Sequence, residues 1–185
     1  VLCNNASYRL EDDGTSEAVG DATEIALLQV AGGYGIERPQ LIEKFSEVRE
    51  YAFDALTKRM ATVHRQEQEF LVAVKGAAEA IVPLCEEEWS ASGSRTLTAQ
   101  AREAWLGKVD ELGSKGLRTL AIAQKRGASE DADPFAGLTL LGIVGLEDPP
   151  RQGVREAIEQ CHAAGIEVAM VTGDHPATAR HIAMQ

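Results

Sequence analysis

The 185-residue sequence predicts an α/β fold in two parts: a unit with a central antiparallel sheet flanked by helices over residues 1–137, and an incomplete strand–helix–strand piece over 138–185. Three observations carry this. Short alternating, β-branched stretches such as RMATVHR (59–65) and FLVAV (70–74) are separated by a few polar residues, as in antiparallel hairpins. Amphipathic helical stretches with capping signals lie beside them. From about residue 138 the pattern changes to two nearly continuous apolar runs, LTLLGIVGL and IEVAMV, either side of a helical segment. Strands of a parallel sheet covered on both faces read in that way.

GDATEIALLQVA predicts the first helix, with Asp21 as N-cap, Glu24 three residues on to close a capping box, and a stop near Gly32-Gly33. A second helix is expected over 39–45. REYAF (49–53) reads as extended and begins the run of strands that RMATVHR and FLVAV continue. KGAAEAIVPLC passes from a strand end into a helix from Ala77 to about Cys85, acidic 86–88 reads as a solvated face, and SASGS as a loop. TLTAQAREAWLGKVDELGSKG predicts a long helix whose buried side is Ala101, Ala104, Trp105, Val109 and Leu112, stopping at Gly113 or Gly116. A strand over 118–124, a polar break at RGASEDADPFAG, the strand LTLLGIVGL, a helix with Val154, Ala157, Ile158 and Cys161 on one side, and the strand IEVAMV complete the order.

Composition narrows the function classes. Apolar residues at 44% and charged residues at 25% describe a folded chain. A formal net charge of -11 opposes bulk attraction to nucleic acid or an anionic membrane, yet permits a local cluster of cations around a phosphate. Cys3, Cys85 and Cys161 are far apart with no CxxC, which fits a reducing compartment, and the histidines lack zinc-ligand spacing. No run of about 18 apolar residues exists to span a bilayer, and VLCNNASYRL lacks the basic head and apolar body of a signal peptide.

Several short patterns carry possible chemistry, each beside a plainer alternative. Thr172, Gly173 and Asp174 fall at the expected carboxyl end of a strand, just before a Pro-started helix, where free N–H groups suit a phosphoryl oxygen. The same residues serve equally as a turn and helix cap. Lys58, Lys75 before Gly76, and Arg118 stand at strand ends, where neighbouring strands can converge them on one anion; scattered solvated cations are the alternative. Phe53 near lysines suits stacking of a purine, or is an ordinary core ring. Glu24 either accepts from an exocyclic amine or only closes the capping box. Asp148-Pro149-Pro150-Arg151 is either a hinge with a ribose-side contact or a stiff helix start. No GxxxxGK[ST], strand-following GxGxxG or GxSxG occurs.

Taken together and in order, GDATEIALL, FDALTKRM, VKGAAE, GLRTLA, EDPPR and MVTGD resemble the motif series of P-type cation-transporting ATPases, across residues 1 to 185. GDATEIALL is most similar to the calcium- and sodium/potassium-type branch, with calcium favoured. The resemblance implies an ATP-binding domain inserted into a phosphorylation domain of haloacid-dehalogenase-like fold, in the cytoplasmic portion of an integral membrane protein. It implies that Phe53 stacks on adenine, Glu24 lies on the base side, Lys58 and Lys75 with Gly76 line the pocket, and Arg118 reaches the phosphates. Asp148 and Arg151 would sit by the hinge, and Thr172, Gly173 and Asp174 by the phosphoryl-transfer site near Mg2+. Ala78 replaces the usual Pro of KGAPE, His175 the common Asn after TGD, and DALT, between Phe53 and Lys58, lacks the arginine found next to the aromatic in calcium-pump relatives. The family's DKTGTLT segment, with the Asp that accepts the phosphoryl group, and its GDGxNDxP segment are not in this sequence. The chain is therefore expected to bind ATP without forming the aspartyl phosphate itself, its partners being the remaining phosphorylation, actuator and transmembrane domains of its parent. A self-contained haloacid-dehalogenase-like phosphatase using Asp12 or Asp13, and a non-catalytic interaction domain, are the alternatives.

Overall fold

The computed structural model describes residues 1–10, 16–147, 151, 153–172 and 176–184. Asp12, Asp13, Asp148, Gly173 and Asp174 of the expectations above lie outside these residues. Among the described residues the fold is a seven-stranded, mostly antiparallel sheet with helices on both faces, and a separate two-stranded hairpin.

The chain opens with β1 (Ser7–Leu10) and β2 (Ser16–Val19), an antiparallel pair. Helix α1 (Ala22–Gly33) follows, capped by Asp21, whose carboxylate accepts from Thr23 N at 2.8 Å. α2 (Arg38–Lys44) has Pro39 in its first turn, where the missing N–H costs nothing. Three antiparallel strands come next: β3 (Ser46–Asp54), β4 (Arg59–Gln66) and β5 (Glu69–Gly76). A short α3 (Ala78–Ile81) and a 3-10 turn lead into β6 (Cys85–Ser90) and β7 (Gly93–Thr96). α4 (Ala99–Ser114), β8 (Arg118–Ala128), β9 (Leu138–Leu146), α5 (Val154–Ala163) and α6 (Pro176–Ala183) complete the order.

In space the sheet runs β3-β4-β5-β8-β9-β6-β7, and only β6 with β9 is parallel. The alternation of β4 explains how the sheet is covered twice. Ala61 and Val63 point into the main core with Val72, Val74, Ile81 and Leu138, against which Trp105, Leu106 and Val109 of α4 pack. Met60, Thr62 and His64 are buried on the opposite face, where the N-terminal segment and the α2 end lie: Cys3 Sγ donates to Met60 O, and His64 Nδ1 meets Phe45 O. Leu106 takes the place expected for Ala104, which is exposed.

The structure departs from the sequence reading at two segments. The acidic run 86–88 belongs to β6, and Glu88 is buried because it accepts from the Trp105 indole N–H at 2.6 Å and from Arg95 Nε at 2.9 Å. The Trp105 bond, reinforced by Arg95, holds its carboxyl below the usual range. The strand–helix–strand piece does not form as read. β9 has both edges filled, antiparallel by β8 and parallel by β6, so IEVAMV finds no neighbour there to pair with. Residues 166–172 form no strand and their apolar side chains are exposed, Val171 at 95%. β8 and β9, on either side of position 137/138, are antiparallel neighbours in the sheet.

His64 makes stability depend on pH. Its Nδ1–H donates to Phe45 O at 3.2 Å, leaving Nε2 to accept from Thr62 Oγ at 2.7 Å, so the neutral ring satisfies both bonds. Burial lowers its pKa below the ordinary value. The unfolded chain therefore binds the extra proton first. The stability contributed by the neutral ring is complete above about pH 6.5 and is lost as the pH falls toward the depressed folded value. Urea unfolding of wild type and His64→Gln between pH 7.5 and 5.5 should show a steeper acid-side loss in wild type; parallel profiles would refute this role.

Candidate functional site

A cleft of about 680 Å³ opens where the first turn of α1 approaches one end of β3, β4, β5 and β8. Each element contributes for a local reason. Asp21 starts α1 at the cleft, so Thr23 and Glu24 are presented there. β3 delivers Glu50 and Phe53, and its hairpin with β4 turns over Asp54–Lys58. Asp54 builds that turn: its carboxylate accepts from Leu56 N at 2.8 Å and Thr57 Oγ at 3.1 Å, while its carbonyl accepts from Lys58 N at 2.6 Å. The Leu56 N–H in particular holds the Asp54 carboxyl below its usual range. Phe53 and Lys58 are thereby set at the two ends of one tight corner, with Lys58 at a φ of 51°. Lys75 and Gly76 end β5, and Arg118 begins β8.

Antiparallel register places Met60 opposite Lys75 and Arg59 opposite Gly76, which brings the end of β5 against the turn carrying Lys58. Gly76 is required by that approach: a Cβ on it would lie 2.5 Å from Lys58 O and 2.9 Å from Arg59 Cα, both backbone atoms that cannot swing aside. Gly76→Ala should therefore destabilise the fold by about 1–3 kcal/mol, the scale of overpacking, as read by urea denaturation; an unchanged midpoint would contradict the close approach.

The polar groups of the cleft are already organised. Lys75 Nζ is paired with Glu24 Oε1, and the two side chains are only 9% and 13% exposed. Glu24 Oε2 accepts from Asn5 N at 3.1 Å, and Asn5 Nδ2 donates to Glu50 Oε1 at 2.7 Å. Glu24 thus does not close the capping box expected of it, because its carboxylate is turned to Lys75 and Asn5. Lys58 meets Glu79 Oε1 at 3.1 Å, but both are more than half exposed, so this pair adds little. Phe53 is 60% exposed and leaves ring surface open at the cleft rather than in the core.

Six sequence-expected residues, Glu24, Phe53, Lys58, Lys75, Gly76 and Arg118, therefore line one cleft. Arg151 and Thr172 are exposed and are not among its lining residues. Asn5, Thr23 and Glu50 also line it; Thr23 belongs to the GDATEIALL stretch without being singled out there, and Asn5 and Glu50 are isolated polar residues in an N-terminal stretch and a strand that carry no motif. An open aromatic face, a fixed carboxylate and nearby cations are the groups that hold a flat, amine-bearing base with an anionic tail.

Burial pushes the thiols of Cys3 and Cys85 up to about 11, so neither is a ready nucleophile. Among the described residues no group of three or more His, Cys, Asp or Glu is arranged to hold a metal ion. No helix among them is long and apolar enough to cross a membrane.

Comparison with known proteins agrees with the order of motifs. The chain is 36% identical over its whole length to the sodium/potassium exporting P-type ATPase cta3 of Schizosaccharomyces pombe, of which it covers 18%. It is 34% identical, again over its whole length, to calcium-transporting ATPase 1 of Bacillus cereus, covering 21% of that protein. With the probable cation-transporting ATPase F of Mycobacterium tuberculosis it shares 36% identity over 99% of its length, covering 21% of that protein. The chain thus spans about a fifth of the length of these relatives. The family model described as P-type ATPase, cytoplasmic domain N, matches residues 1–153, and the chain belongs to that family.

Proposed function

We propose that this chain is the ATP-binding part of a P-type ATPase whose parent protein couples ATP hydrolysis, through an aspartyl phosphate, to cation transport. The observation that carries the reading is the single cleft in which Glu24, Phe53, Lys58, Lys75, Gly76 and Arg118 meet although they are spread over nearly a hundred residues of sequence. Its volume lies within the range of small-molecule sites.

In this reading Phe53 stacks on adenine and Glu24 accepts from its exocyclic amine. Lys58 and Lys75 attract the phosphates, Gly76 allows the backbone of β5 to approach closely, and Arg118 reaches toward the transferred phosphate. The work of these residues is positioning and charge stabilisation, which dominate phosphoryl transfer. Thr172, Gly173 and Asp174 are proposed to serve the phosphoryl-transfer site, and Asp148 and Arg151 the hinge. The division between the nucleotide-binding unit and the phosphorylation-domain piece then falls after β9, in the segment that holds Asp148 and Arg151. The exposed apolar run 166–172 belongs, on this view, to a haloacid-dehalogenase-like sheet completed by other parts of the parent. Mg2+ accompanies the nucleotide, and among the described residues no group of three or more His, Cys, Asp or Glu is arranged to hold it.

Calcium is the proposed cargo, supported by relatives named as calcium-transporting; others carry sodium/potassium or unspecified cation names. Calorimetric titration of the 185-residue chain tests the ATP reading. Saturable ATP binding is expected, and no heat of binding at millimolar ATP would sink it.

A further inference from the structure

Beyond the residues that would touch the nucleotide, the cleft contains a small device that fixes Glu24. The dipeptide Asn4-Asn5 holds this residue at both ends. Asn4 is fully buried; its Nδ2 donates to the Glu24 carbonyl at 3.0 Å while its Oδ1 accepts from Ala6 N at 2.8 Å. Asn5 donates its backbone N–H to Glu24 Oε2 and its side-chain amide to Glu50 Oε1. Lys75 takes the other oxygen, Oε1. With one partner on each oxygen, the carboxylate keeps a second acceptor position on each and has no donor of its own.

We propose that Asn5 is a positioning residue for base selection: clamped between Glu24 and Glu50, it keeps Glu24 in place as a fixed acceptor, so that a purine with an exocyclic amine is taken and one with a carbonyl at that position is refused. The proposal rests on the ATP reading of the cleft. The discrimination has two sides. A carbonyl oxygen placed against the held carboxylate meets acceptor with acceptor, leaving buried polar atoms unpaired, which is costly. An exocyclic amine instead donates to the second acceptor position left open on each oxygen. Loosening Asn5 weakens both effects, since a mobile Glu24 no longer holds its acceptor against the base.

The test is a pair of calorimetric titrations, with ATP and with GTP, on wild type, Asn5→Ala, Glu50→Ala and Glu50→Gln. The readout is the ratio of the GTP to the ATP dissociation constant. Asn5→Ala and Glu50→Ala, which break one hydrogen bond from its two ends, should each lower that ratio roughly 3- to 10-fold, the scale of one hydrogen bond. Glu50→Gln keeps an acceptor for the Asn5 amide and should hold the wild-type ratio. A merely structural role would weaken both nucleotides together and leave the ratio unchanged, and that result would overturn the proposal. Phe53→Ala separates this failure from failure of the cleft reading. If it weakens both nucleotides while Asn5→Ala leaves the ratio intact, only the role of Asn5 falls. If wild type binds neither nucleotide, the reading of the cleft and the role of Asn5 fall together.

Discussion

Replacing Lys75 with methionine is expected to lower folding stability by about 3–5 kcal/mol, because it leaves the Glu24 carboxylate in a nearly closed site without its countercharge. The two side chains are 9% and 13% exposed, so water cannot take over the role of the missing ammonium. Methionine keeps the apolar stem of the lysine and removes only its charge, which isolates the electrostatic part of the loss. ATP binding should weaken in the same variant, since the cleft loses a buried cation. The double variant Lys75→Met with Glu24→Gln should regain part of the stability, as no unpaired charge then remains. Urea denaturation of the three forms decides the matter: a Lys75→Met midpoint equal to wild type would contradict the account of the pair.

Phe53→Ala is expected to do the reverse, leaving the fold nearly untouched while weakening ATP binding by about 1–3 kcal/mol, the scale of base–aromatic stacking. The ring is 60% exposed and contributes little core area, so stability has little to lose. Its value lies in the open face it offers beside the turn that Asp54 builds. Phe53→Tyr should retain most of the affinity. Inorganic tripolyphosphate, which has no base, should bind wild type and Phe53→Ala alike. Equal ATP affinity in wild type and Phe53→Ala would remove the ring from the site.

These two residues also show what the sequence could and could not reveal. Phe53, Lys58, Lys75, Gly76 and Arg118 lie at strand ends or turns in recognisable short stretches, and an antiparallel sheet brings such ends together. Glu24 was visible for the same reason, though spacing alone offered a capping box; only the tertiary approach of β5 shows its carboxylate turned to Lys75. Asn5 and Glu50 were not visible, because their roles come from contacts 19 and 45 residues apart in the chain.

The fold was legible where periodicity was decisive. α1, α4, β4 and β5 follow their caps and alternation. β6 was hidden because three consecutive glutamates read as solvent, and only Trp105 and Arg95 make Glu88 tolerable in a strand. LTLLGIVGL was read as a parallel strand because a continuous apolar run signals burial on both faces but not the direction of its neighbours. In the structure it lies inside the sheet with one antiparallel and one parallel partner. IEVAMV carries the same signal but pairs with no strand among the described residues, since pairing depends on a partner edge that its own sequence does not specify.

Binding of ATP in the cleft between α1 and the end of the sheet can be followed by mapping backbone amide shifts of the 185-residue chain during an ATP titration. Saturable shifts are expected to cluster at Asn5, Glu24, Phe53, Lys58, Lys75 and Gly76, with residues of β6, β7 and α5 unmoved. Saturable shifts centred elsewhere, or none at millimolar ATP, would contradict it.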